Sequence, residues 1–312
     1  MRVLITGITS FLGRAISNEM LKRGIEVYGI VRETSKNAKD LDKRINIIYA
    51  DLDNIEKLDI DKIGNIDVLI HLAWDGIGSK GRMDKQVQAR NILNTLKIVE
   101  LVSKLGCKRV LFSGSQAEYG LTYEKAKHLK DLEENESYKC SPISEYGKAK
   151  LEVYEKVSKL CESFSMEYVH LRIFSVYGGG DHQTSLVSMC IRAIIEKKKI
   201  VLSECKQLWN YIYIDDCARA ISDLAVCKLF ENALIVNVAG KDTKPLREFA
   251  FSIQAALCKT NEEFIFFEKK EVSSEGTPYL NPNIDRLREL TNFKERVSFE
   301  EGVKKIEKLY SM

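Results

Sequence analysis

Apolar and polar positions divide the chain into two regimes. In the first, short apolar runs alternate with stretches whose apolar residues recur at helical spacing. Val3-Leu4-Ile5 comes first and the amphipathic segment Phe11 to Lys22 follows it. Val27 to Val31, Ile45 to Tyr49, Val68 to Leu72, Val110 to Phe112 and Tyr168 to Phe174 are the later apolar runs. Met83 to Leu105 and Ser144 to Phe164 carry helical spacing. This alternation predicts a parallel sheet with helices on both faces. Strands that are apolar at nearly every position fit burial on both sides. Past residue 175 the elements shorten and mix. A Gly178-Gly179-Gly180 turn precedes a helix from Leu186 to Lys197, a short strand Ile200 to Leu202 and an apolar stretch Tyr211 to Ile214. Ile235 to Val238 reads as a strand returning to the sheet. A helix Pro245 to Leu257, with the proline in its first turn, a strand Phe264 to Phe267 and a helix Phe299 to Tyr310 follow. The expected fold class is α/β: a Rossmann-type doubly wound parallel sheet with a smaller mixed α/β substrate-binding lobe near the C-terminus. Residues 1–175, joined again by 212–240, form the sheet domain. Residues 176–312 form the interleaved lobe.

The 312 residues allow one large or two small domains. The charge is balanced, 48 basic against 45 acidic residues. That argues against nucleic-acid or membrane partners. Lys197-Lys198-Lys199 reads as a solvated helix end. No apolar run approaches the roughly 20 residues of a membrane span. Met1-Arg2 runs into the first strand with no cleavage site behind it. The eight cysteines contain no C-x-x-C pair, so no metal or redox spacing is present. They read as reduced, mostly buried thiols of a cytoplasmic protein. Cys140 is close to the candidate catalytic residues and is taken as structural.

Chemistry enters at Thr6-Gly7-Ile8-Thr9-Ser10-Phe11-Leu12-Gly13. Strand, glycine turn and helix make the context of a dinucleotide-binding fingerprint. Gly7 permits a turn that a side chain would block. Gly13 lets the helix approach the strand. The helix N-terminus offers N–H groups and a positive dipole end to a pyrophosphate. Ser10 stands where a third glycine is usual. It keeps the turn small and brings a hydroxyl toward a phosphate.

The second strand ends at Arg32, followed by Thr34, Ser35 and Lys36. An acidic residue there would hold the ribose 2′-hydroxyl of NAD. A guanidinium favours a 2′-phosphate by charge and bidentate hydrogen bonding. NADP(H) is therefore the preferred cofactor and NAD(H) the alternative. Arg14 is a second candidate phosphate contact, and Asp51-Leu52 are placed to meet the adenine.

Tyr146-Gly147-Lys148-Ala149-Lys150 contains Tyr-x-x-x-Lys. One helical turn sets both side chains on one face. An ammonium beside a phenol lowers the phenol's pKa from about 10 toward the working pH, which suits a general acid or base. On its own the pair recurs by chance on exposed helices. Ser113-Gly114-Ser115-Gln116-Ala117-Glu118-Tyr119-Gly120 adds to it. This run lies at the carboxyl end of a strand, where open α/β sheets bind ligands. Its Ser115 hydroxyl can bind the same substrate oxygen as Tyr146.

With these motifs the chain resembles an extended short-chain dehydrogenase/reductase of the nucleotide-sugar epimerase/dehydratase/reductase group. The matching residues span nearly the whole length. They include Thr6 to Gly13, Asp51-Leu52, His71-Leu72-Ala73, Asn91 with Thr95, Ser115 with Tyr119-Gly120, Tyr146 with Lys150, Arg172 to Gly178, Tyr213 to Asp216 and Phe299 to Gly302. The resemblance implies a catalytic set of Ser115, Tyr146 and Lys150. It implies an NAD(P) site at Gly7, Thr9, Ser10, Phe11, Leu12, Gly13, Arg14, Arg32, Asp51 and Leu52. Leu72, Ala73, Trp74, Asn91, Ser113, Tyr146, Lys150, Ile173, Phe174 and Val176 continue that site. A nucleoside-diphosphate sugar is the implied substrate. Asp75, Ser115, Gln116, Glu118, Ser175 and Trp209 are its candidate contacts. A homodimer through Met83 to Leu105 and Ser144 to Phe164 is also implied, and no metal.

Within the group, the substituted positions narrow the reaction. Dehydratases carry an Asp-Glu pair directly after the catalytic hydroxyl residue; Gln116 and Ala117 stand there. Epimerases carry an acidic residue at the Arg32 position and an asparagine at the Ser175 position. The usual Arg-Asp before the late Asp-Asp pair is Trp209-Asn210. Trp209 is then either a stacking surface for a base or sugar or a core side chain. Trp74-Asp75-Gly76, the Gly-Ser-Gln-Ala-Glu-Tyr-Gly run and Trp209-Asn210-Tyr211 are most similar to CDP-abequose synthase-like reductases of 4-keto-6-deoxyhexoses. The expected reaction is NADPH-dependent reduction of the sugar's C4 ketone. A nucleotide-sugar 4-epimerase and a non-catalytic cofactor-binding regulator are the alternatives. Asn91 reads as a structural or water-relay partner, and His71 as a core residue.

Overall fold

Alternation of side chains along each strand sets the layers. The computed structural model describes residues 1–126, 133–258, 262–269 and 276–311. In β1 (Arg2–Thr6), Val3 and Ile5 enter one core and Leu4 the other. In β4 (Val68–His71), Val68 and Ile70 repeat the first side and Leu69 the second. The period of two allows nothing else when both faces are covered. Between these strands along the chain come β2 (Glu26–Val31) and β3 (Asn46–Tyr49), and after them β5 (Arg109–Ser115) and β6 (Glu167–Ile173). The second half adds β7 (Ser175–Tyr177), β8 (Ile200–Ser203), β9 (Leu208–Tyr213), β10 (Ala233–Val238), β11 (Thr243–Pro245) and β12 (Ile265–Glu268). The main sheet has seven parallel strands in the order β10-β6-β5-β4-β1-β2-β3. The order reverses at β1, the topology of a doubly wound sheet.

The helices sort to the two faces. α1 (Phe11–Lys22) places Ile16 and Met20 on one face. The short α2 (Ser79–Arg82) leads into α3 (Lys85–Lys104), which places Ile98 and Val102 on the other. After the single turn α4 (Tyr123–Ala126), α5 (Glu145–Ser163) packs Val153 and Val157 beside α3. The later helices are α6 (Leu186–Ile195), α7 (Ile214–Val226), α8 (Leu246–Leu257), α9 (Asp285–Thr291) and α10 (Phe299–Tyr310); α6, α8 and α10 pack together in a separate core. β7, β9 and β11 make a three-stranded sheet, and β8 pairs with β12. Tyr177, Tyr211, Phe249 and Phe299 form the aromatic heart of the lobe, with ring centroids 4.7–5.6 Å apart.

Three details differ from the sequence pattern. β5 runs on through the polar Ser113, Gly114 and Ser115, because β6 continues beside it and pairs with each of them. Pro245 is the N-cap residue of α8 and ends β11, so it precedes the first helical turn. The chain also returns to the main sheet twice. α7 packs on α1 and leads into β10; later α9 packs on α7 and β10, with Ile284 and Leu287 in the first core. Among the described residues no helix is long and apolar enough to cross a membrane. All eight cysteines are free thiols.

Glu134 ties two distant segments to the sheet edge. Its Oε2 accepts from Asn281 N–H at 2.8 Å. Its carbonyl accepts from Asn283 N–H at 3.0 Å and from Asn237 Nδ2 at 2.8 Å. Burial pushes its carboxyl up to about 8. An unfolded chain ionises this group near the ordinary carboxylate value, while the native state holds its proton up to about pH 8. Stability therefore falls as pH rises through that window, by at most about 1.4 kcal/mol per pH unit from this group. Glu134→Gln keeps an acceptor for Asn281 and removes the titration. Denaturant midpoints at acid, neutral and mildly alkaline pH should show a flatter profile in the variant and its largest gain at the alkaline end.

Candidate active site

The carboxyl ends of β1 and β4 part where the strand order reverses, and a cleft of about 880 Å³ lies there. Its floor is the turn after β1. Gly7 has φ +68°, a left-handed conformation that favours glycine. A Cβ on Gly13 would overlap the Gly7 carbonyl and meet Ile8 Cα at 2.7 Å, so α1 approaches the turn only with glycine there. Thr9, Ser10, Phe11 and Leu12 line the cleft with Gly7. Ser10 is the N-cap of α1, its Oγ accepting from Gly13 N–H at 3.0 Å. That bond leaves the hydroxyl proton for an anion. Arg14 is not on the cleft wall; its guanidinium lies beside Gly180.

Arg32 stands at the end of β2, and Thr34, Ser35, Asn37, Asp51 and Leu52 share its wall. Asp51 caps the turn Leu52–Lys57 by accepting from Asp53 N–H. Arg90, from α3, faces Arg32 across Asp75. One Asp75 oxygen is 3.9 Å from Arg32 and the other 3.0 Å from Arg90. The resemblance implies a sugar contact at Asp75; the fold pairs it with two arginines. Asn91 clamps the Asp75 backbone at both ends, 3.1 Å from its N–H and 2.9 Å from its carbonyl. Gln88 holds the same loop through the Trp74 indole, Gly76 and Gly81. Arg90 and Gln88 carry no motif in the sequence; Gln88 lies one turn before Asn91 on the buried face of α3, and Arg90 lies on its exposed side.

At the other end stand Ser115, Tyr146 and Lys150. Ser115 ends β5, and its Oγ accepts from Ala117 N–H at 3.2 Å. Its hydroxyl proton is thereby left to donate. α5 starts at the N-cap Ser144, which sets Tyr146 and Lys150 one turn apart facing β5. Lys150 Nζ donates to the Ser113 carbonyl at 2.6 Å and lies 3.7 Å over the Trp74 ring and 4.6 Å over Phe112. Burial drives its ammonium well below the ordinary lysine value, with the Glu118 charge opposing that. The Tyr146 phenol lies above its ordinary value. Burial dominates, while the Ser115 hydroxyl and Arg82 pull it down. Arg82 stacks 4.4 Å over the Tyr146 ring. The sequence expectation that Lys150 lowers the phenol is corrected. The lysine is turned to the Ser113 carbonyl, and both groups are desolvated.

Leu72, Ala73, Trp74, Asn91, Ser113, Ile173, Phe174, Ser175 and Gln116 also line the cleft, joined by Asp181 and His182 at its open end. Besides Arg14, three expected contacts do not. Glu118 is fully buried beneath Ser115 and bonded to His170 and Arg172. Val176 alternates away from Ser175 on β7 and packs into the core. Trp209 projects into the lobe core, its ring 6.3 Å from Tyr211. Asn210, opposite it, holds the loop after β10 through Gly240. His71 is core: its ring bonds Thr6 and Thr95, and burial pushes it down to about 3. Burial also raises Cys140 to about 11, far from a nucleophile. Among the described residues no group of three His, Cys, Asp or Glu is placed to hold a metal ion.

A known structure shares this architecture. UDP-glucose 4-epimerase of Thermus thermophilus, solved as a complex with NAD, superposes with a TM-score of 0.84 at 19% identity, covering 100% of this chain and 99% of that one. Sequence relatives span a range of names. The UDP-N-acetyl-alpha-D-glucosaminuronate decarboxylase of Bacillus cytotoxicus is 25% identical, over 97% of this chain and 95% of its own. CDP-abequose synthase of Yersinia pseudotuberculosis is 24% identical, over 71% and 72% respectively. A family model matches residues 3–239. With that match over most of its length, the chain belongs to the NAD dependent epimerase/dehydratase family.

Proposed function

We propose that the protein reduces the C4 ketone of a nucleoside-diphosphate 4-keto-6-deoxyhexose with NADPH. The observation that carries the reading is the convergence of the Ser115 hydroxyl, Tyr146 phenol and Lys150 ammonium at one end of a cleft whose floor is a glycine turn. The phosphate turn, the α1 N-terminus and the open wall at Arg32 fit a dinucleotide. NADPH, when bound, supplies the hydride. Ser115 donates to the carbonyl oxygen and stabilises the charge that develops there. Tyr146 gives its proton to the alkoxide, so ketone, hydride and proton become an alcohol. Lys150, over the Trp74 ring, would hold the cofactor's ribose. Gln116, Ser175 and the Asp181-His182 turn stand where the sugar would lie. Similarity to CDP-abequose synthase supports a deoxysugar substrate, and Gln116-Ala117 in place of paired carboxylates argues against water elimination.

Arg32 and Arg90 support the preference for NADPH. Two guanidiniums hold one carboxylate, Asp75, at the cleft mouth. A 2′-phosphate offers them the same kind of partner.

The purified protein should consume one equivalent of NADPH for each CDP- or dTDP-4-keto-6-deoxyglucose reduced. Interconversion of UDP-, GDP- or dTDP-sugars with no net cofactor use would replace this reading by a 4-epimerase. Cofactor binding without turnover of either kind would leave a regulator. Tyr146→Phe should lower kcat by about 100- to 10,000-fold, the range of general acid catalysis, and leave cofactor affinity in place. Arg32→Ala should weaken NADPH by about 10- to 100-fold, the worth of a charged hydrogen bond, and leave NADH nearly unchanged. Equal losses for both cofactors in fluorescence titration would remove Arg32 from 2′-phosphate recognition.

A further inference from the structure

Directly beneath Ser115 lies a polar cluster sealed from water. Glu118 and His170 are 0% exposed and Arg172 is 2% exposed. Glu118 Oε1 accepts from Ser115 N–H at 2.7 Å and lies 2.9 Å from His170 Nε2. Its Oε2 accepts from Arg172 Nε at 3.0 Å. Burial alone would raise the carboxyl, but His170, Arg172 and the Ser115 N–H together outweigh it and hold it below the ordinary carboxylate value. An ionised carboxylate only accepts, so His170 Nε2 carries a proton. The other ring nitrogen, Nδ1, lies 2.8 Å from the Tyr168 hydroxyl. Glu118, His170, Arg172 and Tyr168 are thus joined in one bonded network.

Burying a carboxylate costs several kcal/mol unless its lone pairs are all met. Something in the fold keeps one here. The neighbouring Gly114 is shaped to it. A Cβ there would stand 2.5 Å from His170 Nε2 and 2.7 Å from Glu118 Oε1. Of the Glu118 bonds, one reaches the cleft wall, through the backbone of Ser115. The Ser115 hydroxyl in turn is aimed by the Ala117 N–H. The turn Gln116–Glu118 is therefore fastened at both ends around the residue that faces the substrate.

We propose that Glu118 is a positioning residue: through the Ser115 N–H, and braced by His170 and Arg172, it fixes the Ser115 hydroxyl where it meets the reacting oxygen. This rests on the reading of Ser115 as the hydroxyl that binds that oxygen. Glu118 touches neither substrate nor cofactor. Removing its charge loosens Ser115 and leaves the binding surfaces as they were. The loss then falls on kcat, with the substrate KM and the NADPH affinity kept.

A double-mutant cycle tests the connection. Glu118→Gln, which retains an acceptor but not the charge, should lower kcat about tenfold, within the range by which contacting residues couple. In the Ser115→Ala background the same change should cost less than about twofold, since no hydroxyl remains to be aimed. Gly114→Ala, which crowds the carboxylate and deletes no functional group, should behave alike and serves if Glu118→Gln does not fold. Losses that multiply in the Ser115→Ala background, or a folded Glu118→Gln with full kcat, would overturn the proposal. Full activity in Ser115→Ala alone would instead sink the role given to Ser115 and take the proposal with it. Thermal melting and NADPH titration of each variant separate these outcomes from global damage.

Discussion

The site depends on the place where β1 and β4 lie side by side with their chain connections leaving in opposite directions. Right-handed crossovers carry the chain from β1 to β2 and β3 on one side, then back past β1 to β4, β5 and β6 on the other. The loops at the two carboxyl ends diverge and a crevice opens between them. Thr6 Oγ1 bridges it at its base, 2.6 Å from His71 Nδ1 and 3.3 Å from Ala73 N–H. Both walls are thereby fixed to the same two strand ends. The glycine turn follows one of them, and the loop carrying Trp74 and Asp75 follows the other.

Desolvation rather than charge pairing governs the groups at the catalytic end. It moves Tyr146 up and Lys150 down, so each is drawn toward its neutral form. The charges that resist are indirect: Arg82 over the phenol ring, and Glu118 acting on the ammonium from beneath the sheet edge. The aromatic shelf of Trp74 and Phe112 offers the lysine a cation–π surface in place of water. The Ser113 carbonyl supplies its hydrogen bond. Tyr146 and Lys150 are thus oriented by backbone and ring contacts that no spacing motif encodes.

Local pattern was enough to read the sheet, its face-sharing helices and the three catalytic candidates. Strand and helix periods are local properties, and Ser115, Tyr146 and Lys150 lie on elements whose periods are clear. The family relationship was also legible, because its motifs recur in order along the chain. Which way the ambiguous side chains point was settled by packing. Glu118 reads in sequence as a candidate substrate contact just past the positions of the dehydratase carboxylate pair. Only the neighbouring β6, with His170 and Arg172 in register, draws it inward. Trp209 turns to the lobe core because β9 is covered by α8 and α10 on that face. Asp75 meets Arg32 and Arg90 because three separate elements converge on one edge of the cleft. A charge or a large ring in a chain carries no sign of its partners when those lie dozens of residues away, and burial then sets its protonation and its role.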